Sequence, residues 1–204
     1  MSNKDWSDYY DKWRGQPANE LLLKVLEEYA PTSDSSTALD LGSGTGRDSF
    51  ELLGRGWLVL AIDSQELAIK IIKQDVPEDV RGRLSAIAGS FVEVPFPQCL
   101  LVNASMSLFF CDRTDFSIVW GKILAALLPG GIFVGNFLGI NDDWSGEEGF
   151  SSHTQDELRE LLAPMEILDF EENEFDGHRA NGEPKHWHLF SVIARIPIRL
   201  NQQS

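Results

Sequence analysis

The segment Ala38-Leu39-Asp40-Leu41-Gly42-Ser43-Gly44-Thr45-Gly46 constrains this chain more than any other. An apolar run from Thr37 to Leu41 reads as a buried strand, three glycines at alternate positions follow, and a helical pattern begins at about Arg47 and runs to Leu53. Glycine at those positions lets the backbone turn sharply and brings its N–H groups against a ligand with no Cβ in the way. Strand, glycine turn and helix in that order open a βα unit.

The same alternation continues on both sides. Upstream, Pro17 marks a helix start, Leu22, Val25, Leu26 and Tyr29 fall at i, i+3, i+4, i+7, and Pro31 closes the helix. Downstream, strands are expected at Leu58 to Ile62, Leu84 to Ala88, Leu100 to Asn103 and Ile132 to Leu138. Ser64 is expected to cap a helix with Ala68, Ile71 and Ile72 on its inner face. A clearer helix has Asp112 at the N-cap and Asp115 at N3, a stripe of Phe116, Val119, Trp120, Ile123 and Leu127, and Pro129-Gly130-Gly131 as its stop. Continuous apolar strands of this kind suit a parallel sheet covered on both faces.

After Gly139 the pattern changes. An acidic loop from Ile140 to Ser152 leads to a Thr154-x-x-Glu157 capping box and a short helix bearing Leu158, Leu161 and Leu162. Two extended segments, Met165 to Phe175 and His186 to Ile196, are joined by Asp176-Gly177 and Asn181-Gly182 turn chemistry and read as a terminal antiparallel hairpin.

A length of 204 residues with 43% apolar content, 12 Phe and 6 Trp supports one sizeable core, and the expectation is a single domain over 1–204. Its parts are an N-terminal helical cap (1–30), a cofactor-binding core (36–139), and an acceptor loop, helix and terminal hairpin (140–197). The N-terminus has no apolar segment behind its charges, and the longest apolar run, Cys99 to Cys111, is interrupted by Asn103, Ser105 and Ser107, so neither a signal peptide nor a membrane span is expected. Cys99 and Cys111 lack ligand spacing and read as buried thiols of a reducing cytosol, which makes a cytoplasmic location the expectation. Net charge is −15, and between Asp142 and Asp176 thirteen acids face one base, Arg159. Nucleic-acid affinity comes mostly from clustered Lys and Arg, so no nucleic-acid partner is expected, and a soluble monomer or homodimer is.

A glycine-rich turn also serves nicotinamide dinucleotides, but that fingerprint is G-x-G-x-x-G, and Arg47 stands where the last glycine belongs. A second mononucleotide half is also missing, since a hairpin follows the fifth strand. The sequence instead resembles motif I of the class I S-adenosylmethionine-dependent methyltransferases, D-x-G-x-G-x-G, with Ile62-Asp63 at that superfamily's acidic ribose position. Asp8-Tyr9-Tyr10, residues 103–111, Leu127 to Gly131 and Lys185-His186-Trp187-His188 are further similar to bacterial small-molecule methyltransferases often labelled tellurite-resistance-like. The resemblance implies a Rossmann-like three-layer α/β sandwich, its seven-stranded, mostly parallel sheet in the order 3-2-1-4-5-7-6 with strand 7 antiparallel. It implies S-adenosylmethionine as cofactor, S-adenosylhomocysteine as product and a small-molecule acceptor. A scaffold or sensor that binds the cofactor without catalysis is the alternative.

By the same resemblance the cofactor contacts are Asp40, Gly42, Gly44, Gly46, Asp63 and Ser64, with Ser90 and Phe91 at the adenine, although an acid is commoner than Ser90 there. Asn103 and Ala104 lie where a backbone carbonyl meets the methionine ammonium. A carboxylate at Asp63 suits vicinal ribose hydroxyls because it accepts several hydrogen bonds. Trp6, Tyr9, Tyr10 and Trp13 crowd the first helix as a core stripe or a lid, and Tyr10, whose hydroxyl needs a partner, is the lid candidate. Ser107, Phe109, Asn136 and Trp144 are candidate acceptor-pocket residues; Phe109 and Phe110 fit a core equally well, and a buried amide such as Asn136 ordinarily serves hydrogen bonding. His153 and His178 read as structural or solvated. His186 and His188 share one strand face, too few for a metal site, with His186 the candidate acceptor contact or base.

Overall fold

The computed structural model describes residues 6–30 and 35–198. Five parallel strands form its centre: β1 (Thr37–Leu41), β2 (Leu58–Asp63), β3 (Leu84–Ala88), β4 (Cys99–Ala104) and β5 (Leu127–Gly139). A two-residue β6 (Ser152–His153) pairs with the end of β5, while β8 (Pro184–Arg195) runs antiparallel between β5 and β7 (Glu166–His178). The sheet order is β3-β2-β1-β4-β5-β8-β7, which is the expected order once the short β6 is set aside. β6 makes the sheet eight-stranded rather than seven.

Period-two alternation along these strands builds two cores. Leu39, Leu41, Val102, Phe133 and Phe137 face α5 (Arg113–Ala126) and α6 (Gln155–Leu161). Ala38, Val59, Ala61, Leu101 and Val134 face α2 (Glu20–Glu28), α3 (Arg47–Gly54) and α4 (Glu66–Asp75). The result is the expected three-layer α/β sandwich. α1 (Ser7–Trp13) precedes these layers.

The strongest local signals are borne out. Asp112 accepts from Thr114 N and Asp115 N, and the Thr154–Glu157 capping box closes in both directions. Other boundaries differ. Asn19, not Pro17, begins α2, because its side chain accepts the Leu21 N–H that the first turn leaves without a partner; Pro31 lies outside the described residues. Gln65, not Ser64, is the N-cap of α4, since Asp63 Oδ1 already accepts the Gln65 N–H at 2.9 Å. Ile69 replaces Ile71 on the buried face, where Ala68, Ile69 and Ile72 follow the helical spacing. α5 stops at Ala126, and Leu127 pairs with Cys99 as the first residue of β5. Asp176 and Gly177 sit in the β7–β8 ladder opposite His186 and Lys185, so the hairpin turns at 179–183, where Asn181 accepts from Glu183 N.

Candidate active site

The three motif glycines have φ of +73° at Gly42, +52° at Gly44 and +89° at Gly46, the left-handed region that favours glycine. They meet different neighbours. A Cβ on Gly42 would stand 2.3 Å from Ser107 Cβ and one on Gly46 2.5 Å from Ile72, whereas one on Gly44 would reach only the Tyr9 and Tyr10 rings at 4.0 Å. Gly42 and Gly46 are thus required by packing, and Gly44 by its backbone angle.

Asp63, at the end of β2, is buried and held by three donors. Gly44 N reaches Oδ2 at 2.9 Å, Gln65 N reaches Oδ1 at 2.9 Å, and the Tyr10 hydroxyl donates as well. Burial pushes its carboxyl above the ordinary value, and those donors pull in the other direction. Tyr10 is buried, and its phenol is raised by desolvation first and by the Asp63 charge second. α1 lies against the glycine turn: Trp13 stacks on the Arg47 guanidinium at 4.7 Å, and Trp6 meets Phe110 edge-on at 5.2 Å.

Beneath the turn lies a buried polar network. Asp40 accepts from Ser49 Oγ at 2.5 Å and from Asn103 Nδ2 at 2.9 Å, and the same amide reaches Asp48 Oδ2 at 3.0 Å. Burial and the neighbouring Asp48 push the Asp40 carboxyl up. The side chains of Asp40 and Asn103 therefore brace the strand ends instead of reaching out as ligand contacts. Ser64 is exposed and accepts from the Gln65 amide. Ser90 closes on Glu93, donating to its carboxylate at 2.9 Å and accepting its N–H at 3.2 Å, and Phe91 packs along the edge of the core. Ala104 is fully buried in β4.

Of the expected acceptor-pocket residues, Phe109 and Trp144 share one aromatic cluster, their ring centroids 6.3 Å apart, whereas Ser107 and Asn136 are taken up in polar contacts. Ser107 is buried and donates to Leu41 O at 2.6 Å, latching the segment after β4 onto β1. Asn136 accepts from Met106 N at 3.1 Å and donates to Ser191 Oγ at 2.9 Å. It holds a residue of positive φ, +53° at Met106, at the mouth of β4. Phe109 is buried with Leu138, Phe150 and Leu189. Trp144 stacks on Phe150 at 4.7 Å and meets Trp187 edge-on at 5.3 Å; both tryptophans and Phe110 are only partly buried.

His186 does not join this cluster. Alternation along β8 puts His186 and His188 on the face opposite Lys185 and Trp187, and the His186 ring is taken up by Asp176 at 2.7 Å and Glu174 at 3.0 Å, which raise its pKa. His188 is buried with Nδ1 accepting from Asn141 N and Nε2 meeting Glu172. Lys185 and Asp142, which sequence reasoning missed as a pair, form a fully buried ion pair with Lys185 lying 3.9 Å from the Trp187 ring centre and 4.3 Å from that of Trp144. An open cavity of about 440 Å³ between Arg14, Gln16, Thr45, Arg47 and Asp75 adjoins the turn but touches none of the acceptor candidates. Among the described residues no group of three His, Cys, Asp or Glu could hold a metal, and no helix is long and apolar enough to cross a membrane.

Residues 38–131, from β1 into β5, match the family model described as methyltransferase domain. The chain resembles the class I S-adenosylmethionine-dependent methyltransferases and has their fold. Magnesium-protoporphyrin O-methyltransferase of Rhodobacter capsulatus is 33% identical over 89 residues, which are 44% of this chain and 38% of that protein. TehB from Haemophilus influenzae superposes with a TM-score of 0.72 at 19% identity, over 92% of this chain and 66% of that one. The Burkholderia thailandensis 1,6-didemethyltoxoflavin-N1-methyltransferase, solved with bound 1,6-didemethyltoxoflavin and S-adenosylhomocysteine, gives a TM-score of 0.59 at 21% identity, over 80% of this chain and 72% of that one. The chain thus spans well under half of the curated relative and just under two thirds of TehB.

Proposed function

We propose that this chain is a single-domain S-adenosylmethionine-dependent methyltransferase acting on a small molecule. One observation carries the reading: a left-handed glycine turn whose central N–H and the Asp63 carboxylate converge at the carboxyl ends of β1 and β2, where an open α/β sheet binds ligands. The residues fit the cofactor. The Tyr9 and Tyr10 rings approach Gly44 only to ordinary van der Waals distance, and Asp63, held by two backbone donors and the Tyr10 hydroxyl, keeps about one acceptor site for a ribose hydroxyl. Arg47 takes the place of the glycine that a dinucleotide requires.

When bound, the cofactor supplies an electrophilic sulfonium methyl group. The chain's own residues position and shield it. Gly42, Gly44 and Gly46 let the backbone approach, Asp63 holds the ribose, and the 89–92 segment walls the adenine. The Asn103–Ala104 backbone faces the methionine end, and Tyr10 closes the site from α1. Holding the reactants in line and excluding water supplies roughly 7–11 kcal/mol of the barrier to such a transfer. His186 is spent on Asp176 and Glu174, so the acceptor brings its own electron pair in this reading. Phe110, Trp144 and Trp187 offer a partly exposed aromatic surface that suits an acceptor with an apolar body, with Phe109, Asn136 and Ser107 as its support. The acidity of the chain supports a monomer or homodimer without nucleic-acid partners, and the free thiols of Cys99 and Cys111 support a reducing cytoplasm.

The test is a small-molecule acceptor screen with S-adenosylmethionine, read as S-adenosylhomocysteine formed. Turnover with at least one acceptor is expected. Tight cofactor binding with no product from any acceptor would instead establish the scaffold reading.

A further inference from the structure

Lys122 reaches from α5 to the turn that follows β3, and its ammonium donates to Phe91 O at 2.6 Å, Val92 O at 2.8 Å and Val94 O at 2.7 Å. An ammonium has three N–H donors and no acceptor, so these bonds use its full capacity. The Phe96 ring lies 4.2 Å from the charge. Desolvation pulls the Lys122 pKa down, and the three carbonyl dipoles offset that cost.

These carbonyls belong to the segment that adjoins the ribose carboxylate, because Gly89 N donates to Asp63 O at 3.0 Å. A trans peptide is planar, with its N–H opposed to its C=O. Turning the Phe91 carbonyl onto Lys122 therefore turns the Val92 N–H away from α5. The next two N–H groups, those of Glu93 and Val94, are committed to Ser90 O at 3.2 and 3.1 Å.

We propose that Lys122 is a positioning residue for the adenine subsite, fixing the Phe91–Val92 peptide so that the Val92 N–H reads an acceptor nitrogen of the purine ring. This rests on the adenosyl reading above. It predicts a specific discrimination. Adenine N1 accepts a hydrogen bond, whereas hypoxanthine N1 carries a proton, and a buried donor facing another donor loses its partner.

The experiment is calorimetric titration of the full chain, as wild type and as Lys122→Met, with S-adenosylhomocysteine and with S-inosylhomocysteine. Wild type is expected to favour the adenosyl ligand by at least about tenfold, and a folded Lys122→Met to narrow that preference to below about threefold. A merely structural role would weaken both ligands by the same factor and keep the ratio, which overturns the proposal, as does a wild type that does not discriminate. Should Lys122→Met fail to fold, Lys122→Gln, which keeps two donors, is read in the same way and should give a ratio between the two. Wild type binding neither ligand overturns the adenosyl reading itself and this proposal with it. Undiminished discrimination in the variant overturns the Lys122 role alone.

Discussion

Lys185→Met removes the ammonium from an ion pair in which neither side chain is exposed. Asp142 would keep two donors, Trp144 N at 2.9 Å on Oδ1 and His188 N at 3.0 Å on Oδ2, but its charge would lose the partner that balances it. Breaking a buried pair from one side costs about 3–5 kcal/mol. In a chain of this size each kcal/mol lowers the melting temperature by about 2–4 °C, so the expected drop is about 6–20 °C. Removing both charges in Asp142→Asn/Lys185→Met should recover part of that loss, since no unbalanced charge remains, although one of the two backbone N–H groups then faces the new amide nitrogen. Differential scanning calorimetry on wild type, each single variant and the double variant makes the cycle. A Lys185→Met melting temperature within about 2 °C of wild type, or a double variant no more stable than Lys185→Met, would refute the reasoning. The pair also ties the loop after β5 to β8, so Trp144 fluorescence should shift to the red in the single variant.

Gly42→Ala should unfold the chain more readily, because its Cβ would clash with the Ser107 side chain on a backbone of φ +73°, while Gly44→Ala, whose Cβ would meet only the Tyr9 and Tyr10 rings at 4.0 Å but on a backbone of φ +52°, should cost only about 1–2 kcal/mol and lose the thermal shift given by S-adenosylhomocysteine. A full ligand-induced shift in Gly44→Ala would remove that residue from the site. Asp63→Ala should stay folded and bind S-adenosylhomocysteine at least about tenfold more weakly, and an unchanged dissociation constant by calorimetry would contradict its role. Burial among Phe116 and Phe137 pushes the His153 pKa down to about 4 from 6.5, so the unfolded chain takes up the extra proton between those values. Stability from the neutral ring is therefore complete above about pH 6.5 and lost as pH falls toward about 4. Denaturant titrations should show a shallower acid-side slope for His153→Phe than for wild type, and equal slopes would refute the assignment.

What was legible in the sequence was local chemistry. The 37–46 segment announced strand, turn and helix because glycine, alone among residues, enters the left-handed region freely, and Asp112 and Thr154 announced helix starts because their side chains supply the missing acceptors. Pro17 misled because a compatible φ does not itself make a cap, and Asn19 was the better acceptor. Asp40 and Asn103 were each expected at the cofactor, yet their side chains serve each other across 63 positions of sequence, a contact that no spacing rule shows. Lys185 and Asp142 are separated by 43 positions for the same reason. The histidines drew attention by their chemistry, while a shift of one residue along β8 moves to the opposite face, where Lys185 and Trp187 carry the aromatic cluster. A lone lysine in an apolar and aromatic strand was the one available hint.

The central claim is that the glycine turn and Asp63 hold an adenosyl cofactor, and titration calorimetry of the wild-type chain with S-adenosylhomocysteine, beside NAD, tests it most directly. Saturable heat with a micromolar-range dissociation constant for S-adenosylhomocysteine, and none for NAD, is the predicted result. Heat with NAD and none with S-adenosylhomocysteine would contradict it.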